Sequence, residues 1–158
     1  MAAQAHLVRK NFVWRIEAVT PTETTLARRA SFTEVDPLRI DPEQSSGYQR
    51  AFSVQWQGSE GDQLDDLLLR QQSHMYAVEV YYSTKLKYDD LHDIILQDRH
   101  DITKTLRNPS NVIGYSDAQS STDIGVGGRW FDSDEIVRED NLWTYRAMWR
   151  VTITETET

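Results

Sequence analysis

The residues best suited to chemistry lie close together, as two His-Asp pairs within residues 88–102. The pairs are His92-Asp93 and His100-Asp101, and both side-chain types bind metals and transfer protons. A metal-dependent hydrolase that uses these four residues is therefore one hypothesis. However, the two histidines are eight positions apart, which on a helix separates them by about 12 Å along the axis and about 80° around it. One metal ion does not easily bridge that distance, so we expect no metal site, no cofactor and no catalytic residue.

Asp98, in the same segment, is the more informative acid. On a helix it lies within about 20° of the direction of Leu91, at the centre of an apolar stripe. The stripe consists of Leu91, Ile95, Ile102 and Leu106. Because an unpaired carboxylate at a buried position costs several kcal/mol, Asp98 needs a partner. Asp98 is therefore either a general base or, as we expect, half of a structural ion pair with an arginine of the sheet, such as Arg50 or Arg146.

Composition restricts the classes of function. The chain has 158 residues with 17 basic and 25 acidic side chains, a net charge of −8, which disfavours a nucleic-acid-binding module because such modules need clustered Lys and Arg. The absence of cysteine excludes disulfides and thiolate metal sites and suits a reducing cytosol. The first residues lack the apolar run of a signal peptide, and no apolar run reaches the ~18 residues of a membrane span. We expect no export and no membrane partner.

The hydrophobic pattern predicts one domain over 1–158, of the α/β class in its α+β form. We expect a mixed, mainly antiparallel sheet of about four to five strands, packed against two main helices. Helices are predicted over 6–19, where a strand is the alternative, and over 89–107, with a less certain short one at 64–68. Strands are predicted over 28–35, 48–57, 75–82, 112–115 and 142–154, with a turn at 58–62. In the strand from Tyr48, Arg50 is grouped mostly with the polar face, opposite Phe52 and Val54.

The strand over 142–154 has the clearest alternation. At ~3.3 Å per residue it spans about 43 Å, which is long for a small domain and suggests that part of it pairs with or projects onto a neighbour. Its apolar face carries Trp143, Tyr145, Ala147, Trp149, Val151 and Ile153. We expect the tryptophans there to pack in the core rather than to stack bases. Arg146 and Arg150 lie on the opposite face, where they form ion pairs within the fold or across a subunit boundary.

The order of these elements resembles that of the tail terminator (tail completion) proteins of long-tailed bacteriophages. Two segments carry the resemblance, Asp90-Leu91-His92-Asp93-Ile94-Ile95-Leu96-Gln97-Asp98-Arg99-His100-Asp101-Ile102 and Leu142-Trp143-Thr144-Tyr145-Arg146-Ala147-Met148-Trp149-Arg150-Val151. It covers most of the chain and depends more on element order than on invariant residues. The loop at 64–71 and the acidic end at 154–158 do not match the family.

The resemblance implies a small α/β subunit that closes into a ring, expected to be a homo-hexamer. Such a ring caps the head-proximal end of the tail tube, ends its polymerisation and joins the tail to the head connector. The implied partners are other copies, the tail tube protein and the connector protein, while DNA passes through the channel without specific binding. The implied location is the head-tail junction of the virion, after assembly in the host cytoplasm. A head completion or stopper ring protein of the connector is the alternative within this class.

Interface residues are expected in three places, namely loops at 36–47 and 117–128 and the long last strand. We expect both loops to be mobile and to become ordered on docking. The individual residues expected to contact another subunit or a partner are Asp123, Arg129, Arg146 and Arg150. The excess of acidic residues would keep DNA from adhering to a channel wall, since like charges repel its phosphates.

Overall fold

The described part of the chain forms a five-stranded mixed sheet and two helices, which confirms the predicted α+β class. A computed structural model describes residues 5–24, 31–40, 49–60, 69–108, 126–139 and 141–156. The elements in chain order are α1 (Ala5–Glu17), β1 (Thr33–Glu34), a 3-10 turn (Pro37–Arg39), β2 (Ala51–Glu60), β3 (Leu69–Ser83), α2 (Tyr88–Arg107), β4 (Val126–Arg138) and β5 (Leu142–Thr156).

The strands lie in the order β1-β2-β3-β5-β4, so β3 and β5 are central. Among the described strands, only the β1–β2 pair is parallel. Each residue of β5 is paired with β3, from Leu142 opposite Ser83 to Thr156 opposite Leu69. Its other side pairs with β4. Both edges of β5 are thus occupied within its own sheet over residues 143–153, so the expectation that the strand pairs with a neighbour is wrong for that part. Projection of the strand onto a neighbour stays a prediction.

Both helices cover the same face of the sheet. They share one continuous core with alternate residues of the strands. The helices contribute Val8, Phe12, Ile16, Leu91, Ile94, Ile95, Ile102 and Leu106. The strands contribute Phe52, Val54, Tyr76, Val78, Val80, Tyr82, Trp143, Tyr145, Ala147, Trp149, Val151 and Ile153. The apolar face predicted for the last strand is thus confirmed as core, since alternate side chains of a strand point to the same side.

The helix predicted over 89–107 is confirmed as α2, from Tyr88 to Arg107. Asp89 and Asp90 lie in its first turn and Lys104 and Arg107 in its last, where each sign of charge is favoured by the helix dipole. Its predicted apolar stripe is buried with Asp98 at its centre. This helix therefore brings a carboxylate to the middle of the core.

The segment predicted as a helix over 6–19 is confirmed as α1, from Ala5 to Glu17, rather than as a strand. Val8, Phe12 and Ile16 are fully buried at intervals of four residues, which a helix places on one side. Tertiary packing of this stripe outweighs the modest helix preference of its β-branched and aromatic residues.

The strand β4 was not predicted, and its first residues overlap the expected loop at 117–128. β4 is an edge strand with several charged residues, and natural edge strands often carry charges that block unwanted pairing. Its register also shifts between Val126 and Gly128 and between Phe131 and Ser133. These bulges break the alternation by which a strand is detected in sequence. Residues 117–125, including Asp123, lie outside the described residues.

Five other predictions need revision or stay wholly or partly untested. The turn expected at 58–62 is wrong up to Glu60, because β2 continues through a bulge at Gly58, whose φ of 130° suits glycine. The described part of the strand expected at 28–35 is reduced to β1. The loop expected at 36–47 begins with the 3-10 turn, where the Asp36 side chain accepts a hydrogen bond from the Leu38 amide. The predictions at 41–47, 64–68 and 112–115 lie outside the described residues.

Candidate functional site

A buried ion pair between Arg50 and Asp98 lies beneath α2, where β2 begins and β3 ends. Arg50 Nε donates to Asp98 Oδ2 and Nη2 donates to Oδ1, both at 2.8 Å, and neither side chain is exposed. The Tyr82 hydroxyl also donates to Asp98 Oδ2 at 2.8 Å, and Arg50 Nη2 donates to the carbonyl of Glu23 at 2.8 Å. Of the two arginines expected as partners of Asp98, Arg50 therefore forms the ion pair.

The backbone conformation of Arg50 aims its side chain at α2. Arg50 directly precedes β2 and has a φ of 62°, in the left-handed region that non-glycine residues rarely adopt. Its amide donates to the Tyr81 carbonyl at 3.1 Å, and its own carbonyl accepts from the Thr33 amide at 3.2 Å. The grouping of Arg50 with the polar face of this strand is therefore wrong, because Arg50 is buried on the helix side together with Phe52 and Val54, as alternation at two-residue intervals requires.

Burial controls the electrostatics of this ion pair. Loss of hydration raises the pKa of Asp98, while the hydrogen bonds and positive charge of Arg50 and the hydroxyl of Tyr82 act in the opposite direction. Burial, together with the charge of Asp98, raises the pKa of Tyr82 well above its ordinary value. This hydroxyl therefore stays protonated and donates a hydrogen bond to Asp98. Glu23 Oε2 also lies 3.6 Å from Arg50 Nη2. The ion pairs of Arg50 with Asp98 and Glu23 therefore connect the start of β2 to α2 and to the segment after α1.

Arg129, expected to contact another subunit, is used inside the fold, so that prediction is wrong. Its side chain is only 6% exposed, and its Nε donates to the Leu106 carbonyl at 3.0 Å. Its Nη1 donates to Asn11 Oδ1 at 3.4 Å, and the guanidinium lies 4.9 Å from the Phe12 ring centre. The side chain satisfies a carbonyl in the last turn of α2, where a positive charge also complements the helix dipole.

The two His-Asp pairs of α2 lie in different surroundings. The His92 ring lies 4.4 Å from the Tyr88 ring and 5.0 Å from the Trp143 ring. Asp101 accepts hydrogen bonds from the amide and hydroxyl of Thr22 at 2.8 and 3.0 Å. His100 and Asp93 are exposed. Within the described parts of the chain, no three His, Cys, Asp or Glu side chains are grouped as metal ligands would be.

The sheet face opposite the helices is only partly covered by the described elements, and we call it the open face. At one end, Ala51, Tyr81 and Leu142 pack against Val35 and Ile40. Along the β3, β5 and β4 part, the register places Met75, Arg150 and Trp130 in one row and Glu79, Arg146 and Glu135 in another. Met75, Glu79, Arg146 and Met148 are half-buried, and Trp130 is 51% exposed.

Arg146 and Arg150 both lie on this open face. Arg150 Nη2 is 3.7 Å from Asp132 Oδ1, a loose ion pair between side chains that are each 43% exposed. Arg146 lines a cleft of about 420 Å³ together with Ser133, Asp134, Glu135 and Met148. The Arg146 Nε is buried and makes no hydrogen bond within the described residues. An unsatisfied buried donor costs about 1–3 kcal/mol, so this atom favours an additional acceptor.

Comparison with known proteins gives no family. No family model matches the chain, and no curated protein matches it significantly. Among the described residues, neither helix is long and apolar enough to cross a membrane.

Several residues of the buried site and the open face were not anticipated from the sequence. Tyr82 had a detectable signal, because it shares the alternating apolar face of β3 with Tyr76, Val78 and Val80. Glu23 follows Pro21 in a segment without periodicity, so no local signal pointed to it. Trp130 belongs to the strand that was not predicted and was missed with it.

Proposed function

We propose that this chain is a structural protein of the bacteriophage tail, which forms a ring, of six copies by the resemblance, at the head-proximal end of the tail tube. The ring ends tube polymerisation and joins the tail to the head connector in the virion. The proposal starts from the resemblance of the segments 90–102 and 142–151 to tail terminator proteins. Both segments lie in the core elements α2 and β5.

The observation that carries the proposal is the open face of the sheet. One side of the sheet is covered by both helices, whereas the other presents Trp130, Met148, Arg146 and Arg150 at least partly to solvent. Tryptophan, methionine and arginine are enriched in protein–protein interfaces, and tryptophan and arginine often dominate the binding energy. A surface of this composition supports a protein that functions by assembly.

Charge supports the same proposal. With a net charge of −8, a ring of copies repels DNA phosphates, so that DNA can pass without adhering to the channel. This requirement applies to tail terminator rings and to stopper rings alike. Contact with the tail tube protein, rather than with the portal side of the connector, distinguishes the first from the second.

The test is electron microscopy and mass photometry of the purified chain, alone and with tail tube protein. We expect rings with a central hole and six-fold symmetry, and we expect added rings to stop the growth of tube ends. A protein that stays monomeric at micromolar concentrations and is absent from intact virions would contradict the proposal. Rings that bind only the connector would favour the stopper alternative.

A further inference from the structure

We infer that His92 is a pH-sensitive switch between the start of α2 and the end of the β4–β5 hairpin. While its imidazole is neutral, His92 holds Arg138 against the ring of Trp143, and protonation of His92 releases Arg138. The switch lies within a single subunit, so it goes beyond the proposed ring and does not depend on it.

Both ring nitrogens of His92 have a partner. The Nε2 atom lies 3.3 Å from Arg138 Nη2, and the Nδ1 atom lies 3.3 Å from the carbonyl oxygen of Tyr88, one turn earlier in α2. A guanidinium only donates, so Nε2 accepts and carries no proton. A carbonyl only accepts, so Nδ1 carries the proton and donates it. The two partners together therefore select one neutral tautomer of His92.

Aromatic rings hold these groups together. The His92 ring centre lies 4.4 Å from that of Tyr88 and 5.0 Å from that of Trp143, and both contacts are edge-to-face. The Arg138 guanidinium lies 5.1 Å from the Trp143 ring centre, where the negative face of the ring attracts a cation. Two contacts therefore hold Arg138, and the contact with Nε2 requires a neutral imidazole.

The charges around His92 come from its own helix and from the edge strand. On α2, Asp89 lies one turn before His92 on the same side of the helix, and Asp93 follows it directly. On β4, Arg138 contacts the ring, and the exposed Glu139 follows in the chain. The side chain that β5 places against the ring is uncharged. Among the described residues, the carboxylates thus favour protonation of His92, whereas the cation in contact with it opposes protonation.

Protonation turns the contact with Arg138 from attractive to repulsive. An imidazolium donates from both nitrogens, so Nε2 no longer accepts from Arg138, and two positive charges lie 3.3 Å apart. The imidazolium then favours the carboxylate of Asp89, and Arg138 leaves the Trp143 ring for solvent. Because the His92 and Arg138 side chains are partly or largely exposed, solvent screens their repulsion. We therefore expect displacement of Arg138 without unfolding.

NMR of the full-length chain tests the switch. The observable is the ring-current shift of the Arg138 side-chain protons, which depends on their position over Trp143. We expect at least half of this shift to disappear between about pH 8 and about pH 5, the range in which ordinary histidines change charge. Nitrogen NMR of the His92 imidazole at the higher pH should find the proton on Nδ1.

Two variants separate the switch from a general effect of acid. His92→Gln removes the titrating group, so its Arg138 shift should be the same at both pH values. His100→Gln is the matched control, because His100 is an exposed histidine eight residues further along the same helix. This control should lose the Arg138 shift in acid as the unmodified chain does. Thermal unfolding at both pH values checks that each variant stays folded.

Three results would overturn the inference. They are an Arg138 shift that stays constant in the unmodified chain, a shift that His92→Gln also loses in acid, and a proton on Nε2 of His92 at the higher pH. The second result would indicate titration of a nearby carboxylate instead. A chain that forms no ring but releases Arg138 in acid would contradict the proposed function and support this inference.

Discussion

At the scale of single residues, Arg50 has the most demanding role in the described structure. It adopts a left-handed φ, is fully buried, and pairs with Asp98 through two hydrogen bonds. Replacing a whole buried ion pair by apolar residues is often neutral, but removal of one partner leaves a buried charge alone. The contribution of Arg50 to stability therefore depends on the presence of Asp98 and Glu23.

We expect Arg50→Met to lower the free energy of unfolding by about 3–5 kcal/mol at neutral pH. Because Arg50 opposes the rise in the pKa of Asp98 caused by burial, its removal raises that pKa further. A folded-state pKa above the unfolded one means that stability decreases as pH rises from about 4 through the folded pKa. The loss should therefore be larger at about pH 8 than at about pH 5, as measured by urea unfolding.

The control for this prediction is Arg39→Met, since the Arg39 side chain is 87% exposed and its loss should change stability by about 0.5 kcal/mol or less. The double variant Arg50→Met with Asp98→Leu should recover part of the loss, because it removes the isolated carboxylate. Equal losses at both pH values would contradict the assigned role of Asp98.

At the scale of elements, the edge strand β4 is fixed to the rest of the fold by side-chain contacts as well as by its pairing with β5. Near the start of β4, Arg129 forms hydrogen bonds with Leu106 of α2 and Asn11 of α1. Further along, Asp134 pairs with Arg99 of α2 and accepts a hydrogen bond from the Tyr145 hydroxyl at 2.9 Å. The hydrogen bond to Asp134 raises the pKa of Arg99. Burial, followed by its own hydrogen bond to Asp134, raises the pKa of Tyr145.

We expect Asp134→Ala to lower the free energy of unfolding by about 1 kcal/mol, because the Arg99 side chain is partly solvated and the ion pair is worth little there. Its larger effect should be local, since Asp134 links β4 to both α2 and β5. Relative to the unmodified protein, the variant should show a larger increase in the hydrogen-exchange rate in β4 than in β3. Glu135→Ala is the neighbouring control, as Glu135 is exposed on the opposite face. Unchanged exchange in β4 would contradict this anchoring role.

At the scale of the whole molecule, the two sides of the sheet have different tasks. The helix-covered side contains the core and the ion pair of Arg50 and Asp98, and it determines stability. The open face combines apolar and charged side chains, and we propose that it forms contacts with other copies. A mutation on one side should therefore affect either stability or assembly, with little effect on the other property.

We expect the rings to depend on salt. Arg146 and Arg150 lie among carboxylates on the open face, so ion pairs across a contact made by this face should weaken as the screening length falls from about 10 Å in ~0.1 M salt to about 3 Å in ~1 M salt. Mass photometry over a dilution series should show dissociation at higher protein concentration in ~1 M NaCl. Unfolding of the monomer should change little, because the Arg50–Asp98 pair is shielded from solvent. Rings that become more stable in high salt would indicate a mainly apolar contact instead.

The sequence by itself determined the elements with a regular period. The four-residue spacing of α2 and the two-residue alternation of β5 are local properties, readable wherever one face is buried. The same periodicity placed Asp98 inside the core and required a cation for it. Only the tertiary structure decided which cation that is, because Arg50 and Asp98 are 48 residues apart and either of two arginines satisfied the sequence.

Tertiary structure also decided the features that break local patterns. β4 is interrupted by bulges and carries charges, so its pairing with β5 became visible only with the sheet assembled. Arg129 resembled a surface residue until the end of α2 was placed beside it. Trp56 shares the parity of Phe52 and Val54 yet is 51% exposed, and its indole N–H donates to His74 Nδ1 at 3.0 Å. Periodicity thus fixes which side of an element is apolar, and only packing determines what covers that side.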